Sequence, residues 1–413
     1  MKDARGFEMA FHKVVCWDCG SEVNDPYVNV CPKCKGLLSV KMDLEPVKEI
    51  KPKDLRKEPI GVWRYAPFMP ADPKRKVSIQ EGGTPLYKTD RLAKESGVSD
   101  VRVKFEGLNP TGSFKDRGMT VGVSHAKELG AKIVGCASTG NTSASLAAYA
   151  AKADMKCAVF LPSGKVAAGK LAQALFYGAK VLSIDGNFDD ALDLAIKMAD
   201  ARKLYLLNSI NPYRPEGQKS VLFEIIDQLE YEVPDRIILP VGNAGNISAV
   251  HKAVQELKEV GWISKVPMLT GIQAEGAAPI AKAFMSESLN FTPEENPETI
   301  ATAIRIGNPV SGRKALRAIY ETGGYSATVT DEEIISAQRL LGKTEGVCVE
   351  PASAASVAGL IKLVAEGVID RNERVVCICT GNGLKDPDTI IKSSPSPIPC
   401  KNSVKDAERI LSL

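Results

Sequence analysis

Gly107-Leu-Asn-Pro-Thr-Gly-Ser-Phe-Lys115-Asp-Arg-Gly118 is the stretch around which the chain is organised. It lies between a strand-like run, residues 101–105, and a helix-like run, residues 119–129. Asn-Pro and Thr-Gly are turn signals, and Ser113 is predicted to cap the helix. A lysine at such a junction lies beside the positive end of a helix dipole, which disfavours the ammonium form. Lys115 is therefore a candidate for covalent bonding to a carbonyl, although a single loop lysine is more often simply solvated.

Composition places the chain among ordinary globular proteins. Its 413 residues, 44% hydrophobic and 25% charged, predict two or three domains with ample core. A formal net charge of +3 gives no reason to expect nucleic acid or an anionic membrane as partner. The N-terminus has no apolar leader, and no apolar run reaches the length of about 18 residues that a membrane span needs. We therefore expect a cytoplasmic protein.

Four of the ten cysteines lie close together near the N-terminus, in two C-x-x-C pairs: Cys16 with Cys19 and Cys31 with Cys34. Paired knuckles of this kind present four thiolates to Zn²⁺ in a tetrahedron. No fifth ligand or open position is indicated, so we predict a small structural zinc ribbon at residues 1–45. Redox or accidental cysteines are the alternative.

From residue 101 to residue 380, apolar runs of strand length alternate with segments of helical periodicity. This alternation predicts parallel strands that are covered by helices on both faces. Because the strands are numerous, we predict an α/β fold with two open, mostly parallel twisted sheets. The predicted division is a linker with part of the larger domain at 46–104, a smaller α/β domain at 105–204 and a larger one at 205–413.

Polar, glycine-rich loops follow four of the predicted strands, at residues 137–143, 208–219, 242–246 and 379–383. In open sheets, ligands bind where such loops gather, at the carboxyl ends of the strands. The first loop precedes a helix and can bind an anion, and the third can direct several backbone N–H groups at a phosphate. One such loop alone would more often be a plain turn. Four of them, together with the lysine loop, predict a ligand site.

Two other catalytic classes are disfavoured by what these loops lack. The loop at 242–246 has no third glycine of a dinucleotide fingerprint, and no acidic residue follows at the distance needed to hold a ribose. His12, His125 and His251 lie in the N-terminal tail or in helical segments, and no G-x-S-x-G elbow accompanies them. A dinucleotide-dependent oxidoreductase and a serine hydrolase are therefore not expected.

Residues 81–386 resemble the pyridoxal-phosphate enzymes of fold type II, in the tryptophan synthase β family. The strongest element is Asn109-Pro-Thr-Gly-Ser-Phe-Lys115-Asp-Arg-Gly118, which is similar to the cofactor-lysine motif of that family. Asp116 favours the synthases of the family over its amino-acid dehydratases. The N-terminal ribbon is similar to one found in the threonine-forming synthases.

The resemblance implies a role for each loop. Lys115 would bind pyridoxal phosphate covalently, Asn141 would bond the 3′-hydroxyl of the ring, and Thr380 would face the pyridine nitrogen. The cofactor phosphate would be held by Gly242, Asn243, Ala244, Gly245 and Asn246. The substrate carboxylate would be bound by the loop of Ser138, Thr139 and Thr142. A phosphate on the substrate would be bound by Thr142, Asn208, Ser209 and Arg214.

The reaction implied is conversion of O-phospho-L-homoserine and water to L-threonine and phosphate, with Lys115 moving protons at the α and β carbons. The partner would be a small phosphorylated amino acid, because the guanidinium of Arg214 matches a phosphate ester in charge and geometry. A cysteate synthase acting on O-phosphoserine and sulfite would want the same arginine and stays open. A threonine or serine dehydratase would leave Arg214 unpaired. A nucleic-acid-binding ribbon on a non-catalytic platform is disfavoured by the balanced charge. The family also suggests a homodimer.

Overall fold

The computed structural model of the chain describes residues 6–7, 9–164 and 168–412, apart from the side chains of 168–170. The strands in chain order are β1 (Phe11–Cys16), β2 (Leu38–Asp43), β3 (Leu86–Lys88), β4 (Asp100–Phe105), β5 (Ile133–Ala137), β6 (Lys156–Pro162), β7 (Lys180–Ile184), β8 (Tyr205–Leu206), β9 (Arg236–Pro240), β10 (Met268–Ala274), β11 (Tyr325–Val329) and β12 (Arg374–Cys379).

The α-helices are α1 (Glu45–Lys48), α2 (Pro52–Leu55), α3 (Asp90–Ser96), α4 (Lys115–Glu128), α5 (Asn141–Lys152), α6 (Ala168–Phe176), α7 (Phe188–Asp200), α8 (Arg214–Gln218), α9 (Ser220–Gln228), α10 (Gly245–Glu259), α11 (Pro279–Met285), α12 (Gly312–Glu321), α13 (Asp331–Glu345), α14 (Pro351–Ala365), α15 (Pro387–Ser393) and α16 (Val404–Leu411). Short 3₁₀ helices lie at Val62–Phe68, Glu106–Leu108, Glu275–Ala277, Thr302–Ile304 and Gly383–Lys385. None of these helices has the length and apolar character to span a bilayer.

The strands of the described residues form one hairpin and two open sheets. β1 and β2 pair antiparallel near the N-terminus. The larger sheet has the order β11-β10-β9-β12-β4-β3, and within it β3 alone runs antiparallel. The smaller sheet has the order β7-β6-β5-β8 and is parallel throughout. The predicted α/β architecture of two open, mostly parallel sheets is confirmed.

Each sheet is covered on both faces, as the apolar strand sequences require. All five residues of β9 are buried, and β-branched side chains suit a strand in this setting. Ile237 and Leu239 pack into the core on one face of the larger sheet, while Ile238 packs into a separate core on the other. The smaller sheet is divided in the same way. The loops at the carboxyl ends of the strands are therefore the places where a ligand site can form.

The predicted boundary between the two α/β domains needs one correction. Residues from 205 onward were expected in the larger domain, but β8 pairs with β5 in the smaller sheet. The apolar run at 204–208 also forms a strand of only two residues, because the polar segment after Leu206 turns away toward α8. The smaller unit therefore extends at least to Leu206, and the limits 1–45 and 46–104 stay predictions.

Candidate active site

Lys115 is the first residue of α4, directly after the turn that follows β4. Its side chain is half-buried, with Nζ 4.1 Å from the centre of the Phe114 ring. Burial, and secondly the positive charge of Arg214, lower the pKa of Lys115 to about 7, while Glu350 acts in the opposite sense. A large fraction of this amine is therefore neutral near neutral pH, as a nucleophilic lysine requires.

The expectation that Ser113 caps α4 is wrong. Phe114 occupies the position before the first helical residue in a helical conformation, with no side-chain cap. The hydroxyl of Ser113 is buried and has no hydrogen-bond partner among the described residues. Its backbone instead forms a bridge with Gly381, and Phe114 N donates to Thr380 O at 2.9 Å. The lysine loop is thereby tied to the end of β12.

Asp116 holds the turn that carries the lysine. Its carboxylate accepts from the backbone N–H of Thr111 at 2.7 Å, from the hydroxyl of Thr111 at 2.6 Å and from the hydroxyl of Ser145 at 2.5 Å. Burial raises the pKa of Asp116 to about 6 in spite of these bonds. Ser145 lies on α5, so Asp116 joins the lysine loop to the smaller sheet.

Four buried charged side chains join β4, α4 and α9, and they are here named the closed cluster: Lys104, Glu106, Arg117 and Glu224. Arg117 donates to both carboxylates, at 2.5 Å to Glu106 and 2.7 Å to Glu224, and its side chain is fully buried. Lys104 donates to Glu224 at 2.8 Å. Burial alone would raise the pKa of Glu224, but the charges of Arg117 and Lys104 outweigh it and lower the pKa to about 2. Two cations balance two carboxylates, so the cluster is neutral as a whole.

The loop of Gly242, Asn243, Ala244, Gly245 and Asn246 joins β9 to α10. Ala244 has φ of +64° and precedes Gly245, the first residue of α10, without a side-chain cap. A Cβ at Gly242 would lie 3.0 Å from Ile304 Cα, so the backbone there passes too close for a larger residue. An uncapped helix start with left-handed backbone before it leaves N–H groups available to an anion.

Gln218, at the end of α8, lies between this loop and the lysine helix. A Cβ at Gly118 would be 3.0 Å from Gln218 Nε2, and one at Gly245 would be 3.8 Å from Gln218 Oε1. Gln218 is buried, and its Oε1 has no partner among the described residues. The start of α4 and the start of α10 therefore border the same side chain.

Most of the buried side-chain atoms without a hydrogen-bond partner in the described residues belong to the lysine loop, to α8 and to the start of α10. They belong to Ser113, Arg214, Gln218 and Asn246, and these four residues are here named the open pocket. In Asn246 both the amide nitrogen and the amide oxygen lack a partner. Buried polar atoms without partners cost stability, so a cluster of them indicates a place for a polar ligand. The donor set suits a phosphorylated, hydroxyl-bearing molecule, and pyridoxal phosphate fits that description.

Arg214 is the charged member of the open pocket. It begins α8, is 3% exposed, and its Nε has no hydrogen-bond partner among the described residues. Burial lowers the pKa of Arg214 to about 10, so the guanidinium stays charged at neutral pH. A buried cation without a carboxylate is unfavourable on its own, which points to an anionic ligand.

The other residues predicted to bind substrate lie along the smaller sheet. Asn208 is engaged with Ala137, accepting from its N–H at 2.9 Å and donating to its carbonyl at 3.0 Å. It shapes the turn after β5 and keeps one amide hydrogen for a ligand. The predicted substrate-binding residues Ser138, Thr139, Thr142 and Ser209 are all half-buried. Their roles stay predictions.

Asn141 has a partner that the sequence did not reveal. Its amide donates to both carboxylate oxygens of Glu350, at 3.2 and 3.1 Å. Glu350 is buried at the start of α14, and burial raises its pKa against the effects of Asn141 and Lys385. The sole local signal is an acidic residue before Pro351 at a helix start. That signal does not show that Glu350 lies near Lys115.

Thr380 lies at the end of β12 with its hydroxyl 3.2 Å from that of Ser353. Ser353 Oγ also accepts from Gly381 N at 2.8 Å. Because the Phe114 N–H donates to the Thr380 carbonyl, this hydroxyl pair borders the lysine loop. Ser353 and Glu350 are thus candidate site residues that sequence reasoning missed.

Cys16, Cys19, Cys31 and Cys34 come together in the N-terminal hairpin. Their sulfur atoms all lie within 4.8 Å of one another. The Cys16 and Cys34 sulfurs are 3.4 Å apart, and those of Cys19 and Cys31 are 3.7 Å apart. Four thiolates about 2.3 Å from Zn²⁺ in a tetrahedron would be about 3.8 Å from one another, so the arrangement fits zinc.

Comparison with known proteins identifies the family to which the chain is similar. Residues 77–381 match the family described as pyridoxal-phosphate dependent enzyme. The chain is 58% identical over 399 residues to the threonine synthase of Methanocaldococcus jannaschii, which covers 96% of this chain and 98% of that protein. It is 60% identical over 383 residues to the threonine synthase of Methanosarcina acetivorans, covering 92% of this chain and 94% of that protein.

Solved structures agree in fold. The processed form of threonine deaminase isoform 2 from Solanum lycopersicum superposes with a TM-score of 0.66 at 21% identity, covering 81% of this chain and 89% of the other. Maize serine racemase gives a TM-score of 0.63 at 21% identity, covering 75% and 91%. At this identity the likeness concerns the fold alone.

Proposed function

This chain belongs to the family of pyridoxal-phosphate dependent enzymes and, among them, to the threonine synthases, and we propose that it converts O-phospho-L-homoserine and water to L-threonine and phosphate. The observation that carries the choice of substrate is the buried Arg214 in the open pocket, whose Nε has no hydrogen-bond partner in the described part of the chain. An amino acid without a phosphate would leave that guanidinium unpaired in a buried site.

The cofactor would be held at the start of α4 and the start of α10. Lys115 would bind it covalently, and the backbone N–H groups of the 242–246 loop together with the Asn246 amide would bind its phosphate. We further assign Asn141 to the 3′-hydroxyl and Thr380 to the pyridine nitrogen. When bound, pyridoxal phosphate withdraws electrons from the α carbon of the substrate, and a hydroxyl at the ring nitrogen makes that withdrawal weaker than a carboxylate would.

Lys115 is the group that would move protons. With a pKa of about 7, its Nζ can accept a proton from the α carbon, take one from the β carbon as phosphate leaves the γ carbon, and return one to the γ carbon. An ammonium with the ordinary pKa would hold its proton at neutral pH and could not act as a base. The location of Lys115 at a helix start, among buried groups, maintains that property.

Arg214 would bind the phosphate of the substrate through its guanidinium, assisted by Thr142, Asn208 and Ser209. The N-terminus of α5, with Ser138 and Thr139 in the turn before it, would bind the carboxylate. After phosphate has left, the bound carboxylate would still hold the remaining carbon chain in place for water to add at the β carbon. The chain thus supplies orientation and charge, and the leaving phosphate departs into a basic pocket.

Phosphate release tests the proposal. The holoenzyme should release phosphate from O-phospho-L-homoserine, forming L-threonine, and should release little from O-phosphoserine with sulfite. The reverse result would make the chain a cysteate synthase. Release of ammonia from threonine or serine at a comparable rate would make it a dehydratase.

A structural zinc ion in the N-terminal ribbon is a second proposal, supported by the four clustered sulfurs. Cys16→Ser should lose bound zinc and lower the unfolding temperature, because a structural site contributes its binding energy to folding. Cys400→Ser, which removes an exposed cysteine outside the cluster, should retain the metal. Full zinc content in the Cys16 variant would show that the cluster holds no ion.

The oligomeric state and the cellular location are proposed from the sequence alone. We propose a homodimer and a cytoplasmic location, neither of which depends on the site geometry. Sedimentation of the purified chain would measure the first, and fractionation of cells would measure the second.

A further inference from the structure

The N-terminal hairpin packs against α8, the helix that begins with Arg214, and against the residue before it. His12 on β1 meets the ring of Tyr213 edge-on, with centroids 5.9 Å apart and an angle of 89°. Tyr213 is buried and is the residue immediately before Arg214. Its other face stacks on His125 of α4 at 3.5 Å and 17°. The residue that leads into Arg214 is therefore held between the hairpin and α4.

A second connection reaches α8 from β2. The carbonyl of Val40 accepts a hydrogen bond from Lys252 Nζ at 2.6 Å. Lys252 also pairs with Glu216, which lies two residues after Arg214 on α8. Glu216 pairs in turn with the buried Lys219 at 2.7 Å. The hairpin is thus linked to both the beginning and the middle of α8.

The opposite side of α8 is equally constrained. A Cβ at Gly217 would lie 1.7 Å from the carbonyl oxygen of Arg117, so α8 is pressed directly onto α4. Among the residues that the structure describes, Arg214 Nε has no hydrogen-bond partner and no carboxylate pairs with the guanidinium. Its position follows from where the five-residue helix lies between α4 and the hairpin.

We infer that the hairpin positions Arg214 for the substrate phosphate, with His12 as the positioning residue that acts through Tyr213. The inference rests on the proposed function, in which Arg214 binds that phosphate. A hairpin that only stabilised the fold would make the same contacts. Loss of those contacts would then reduce the amount of active enzyme without altering the affinity of each site.

Steady-state kinetics of the holoenzyme separate these roles. His12→Ala should raise KM for O-phospho-L-homoserine about tenfold with kcat within about twofold, because a small displacement of a distant contact weakens binding. His12→Phe retains the edge-on contact and should restore KM to within about twofold. Lys13→Ala, at the next and exposed position of the same strand, should leave both constants unchanged. A fall in kcat at unchanged KM, or a normal KM in His12→Ala, would overturn the inference.

A double variant tests the route. In the Arg214→Met background, adding His12→Ala should change KM no further, because the group through which His12 acts is gone. An additional tenfold rise there would show that His12 acts elsewhere.

Calorimetric titration of the holoenzyme with inorganic phosphate gives a readout that does not depend on turnover. Phosphate should bind about tenfold more weakly to His12→Ala than to the parent chain, and equal affinities would contradict the inference. A parent chain that binds phosphate but releases none from O-phospho-L-homoserine would refute the proposed function alone.

Discussion

The closed cluster and the open pocket both lie at the start of α4, and both contain a buried arginine. Arg117 in the closed cluster bonds two carboxylates and also the Ser220 hydroxyl. Arg214 in the open pocket has an Nε without a partner in the described part of the chain. A polar network in which every group is paired stabilises one arrangement of the fold. A network with unpaired groups leaves donors or acceptors that a ligand can bind. Both arginines are buried, but Arg117 stabilises the fold whereas Arg214 is available to a ligand.

Lys115→Ala should produce the largest effect, since it removes the amine that we assign to cofactor binding and proton transfer. We expect kcat/KM to fall at least about a thousandfold and the visible band of the bound cofactor to be absent. The exposed Lys127→Ala on the same helix should retain both, measured by phosphate release and absorbance. Residual activity of Lys115→Ala within tenfold of the parent would show that another amine does the chemistry.

Arg117→Met should be the most destabilising change. It leaves Glu106 and Glu224 buried with one cation between them, which costs about 3–5 kcal/mol of unfolding free energy. Urea unfolding of the apoprotein measures this. A loss below about 1 kcal/mol would mean that the ion pairs of the closed cluster contribute little to stability.

Arg214→Met is the matched substitution in the open pocket and should behave in the opposite way. No buried carboxylate of the described residues loses a partner, so the unfolding free energy of the apoprotein should change by less than about 1 kcal/mol. KM for the phosphorylated substrate should rise about a hundredfold with the cofactor still bound. Destabilisation equal to that of Arg117→Met would erase the distinction between the two groups.

Asn246→Leu removes two unpartnered amide atoms from the open pocket. The apoprotein should be as stable as the parent or slightly more stable, while affinity for pyridoxal phosphate should fall about tenfold. Fluorescence titration with the cofactor gives the affinity. Unchanged affinity would place the cofactor phosphate elsewhere.

The pH dependence of cofactor uptake should show the smallest effect. Only the neutral amine attacks an aldehyde, so a lysine with a pKa of about 7 should react at half its maximal rate near pH 7. Recovery of the visible band by the apoprotein should therefore level off above about pH 8. A rate that still rises steeply at about pH 9 would mean that Lys115 keeps its ordinary pKa.

Much of the fold and part of the site could be predicted from local patterns. The alternation of strands and helices indicated two open sheets, and loops after the strands marked where a ligand would lie. Cys16 and Cys31 each sit in a C-x-x-C pair that needs no distant partner to be noticed. The predicted domain boundary after residue 204 separates the strand at 205–206 from the sheet with which it pairs, because a two-residue strand carries too little pattern to show its partner.

By itself, the sequence determined the lysine motif, the glycine loop, the cysteine knuckles and the class of fold, since each depends on residues that are neighbours in the chain. The tertiary structure alone decided which polar groups are paired. Asn141 meets Glu350 across 209 positions, and Arg117 meets Glu224 across 107. Partners at such separations are chosen by how the two sheets pack, and local propensity carries no information about them. The same packing leaves Arg214 without a carboxylate partner among the described residues, which makes it available for the phosphate we assign to it.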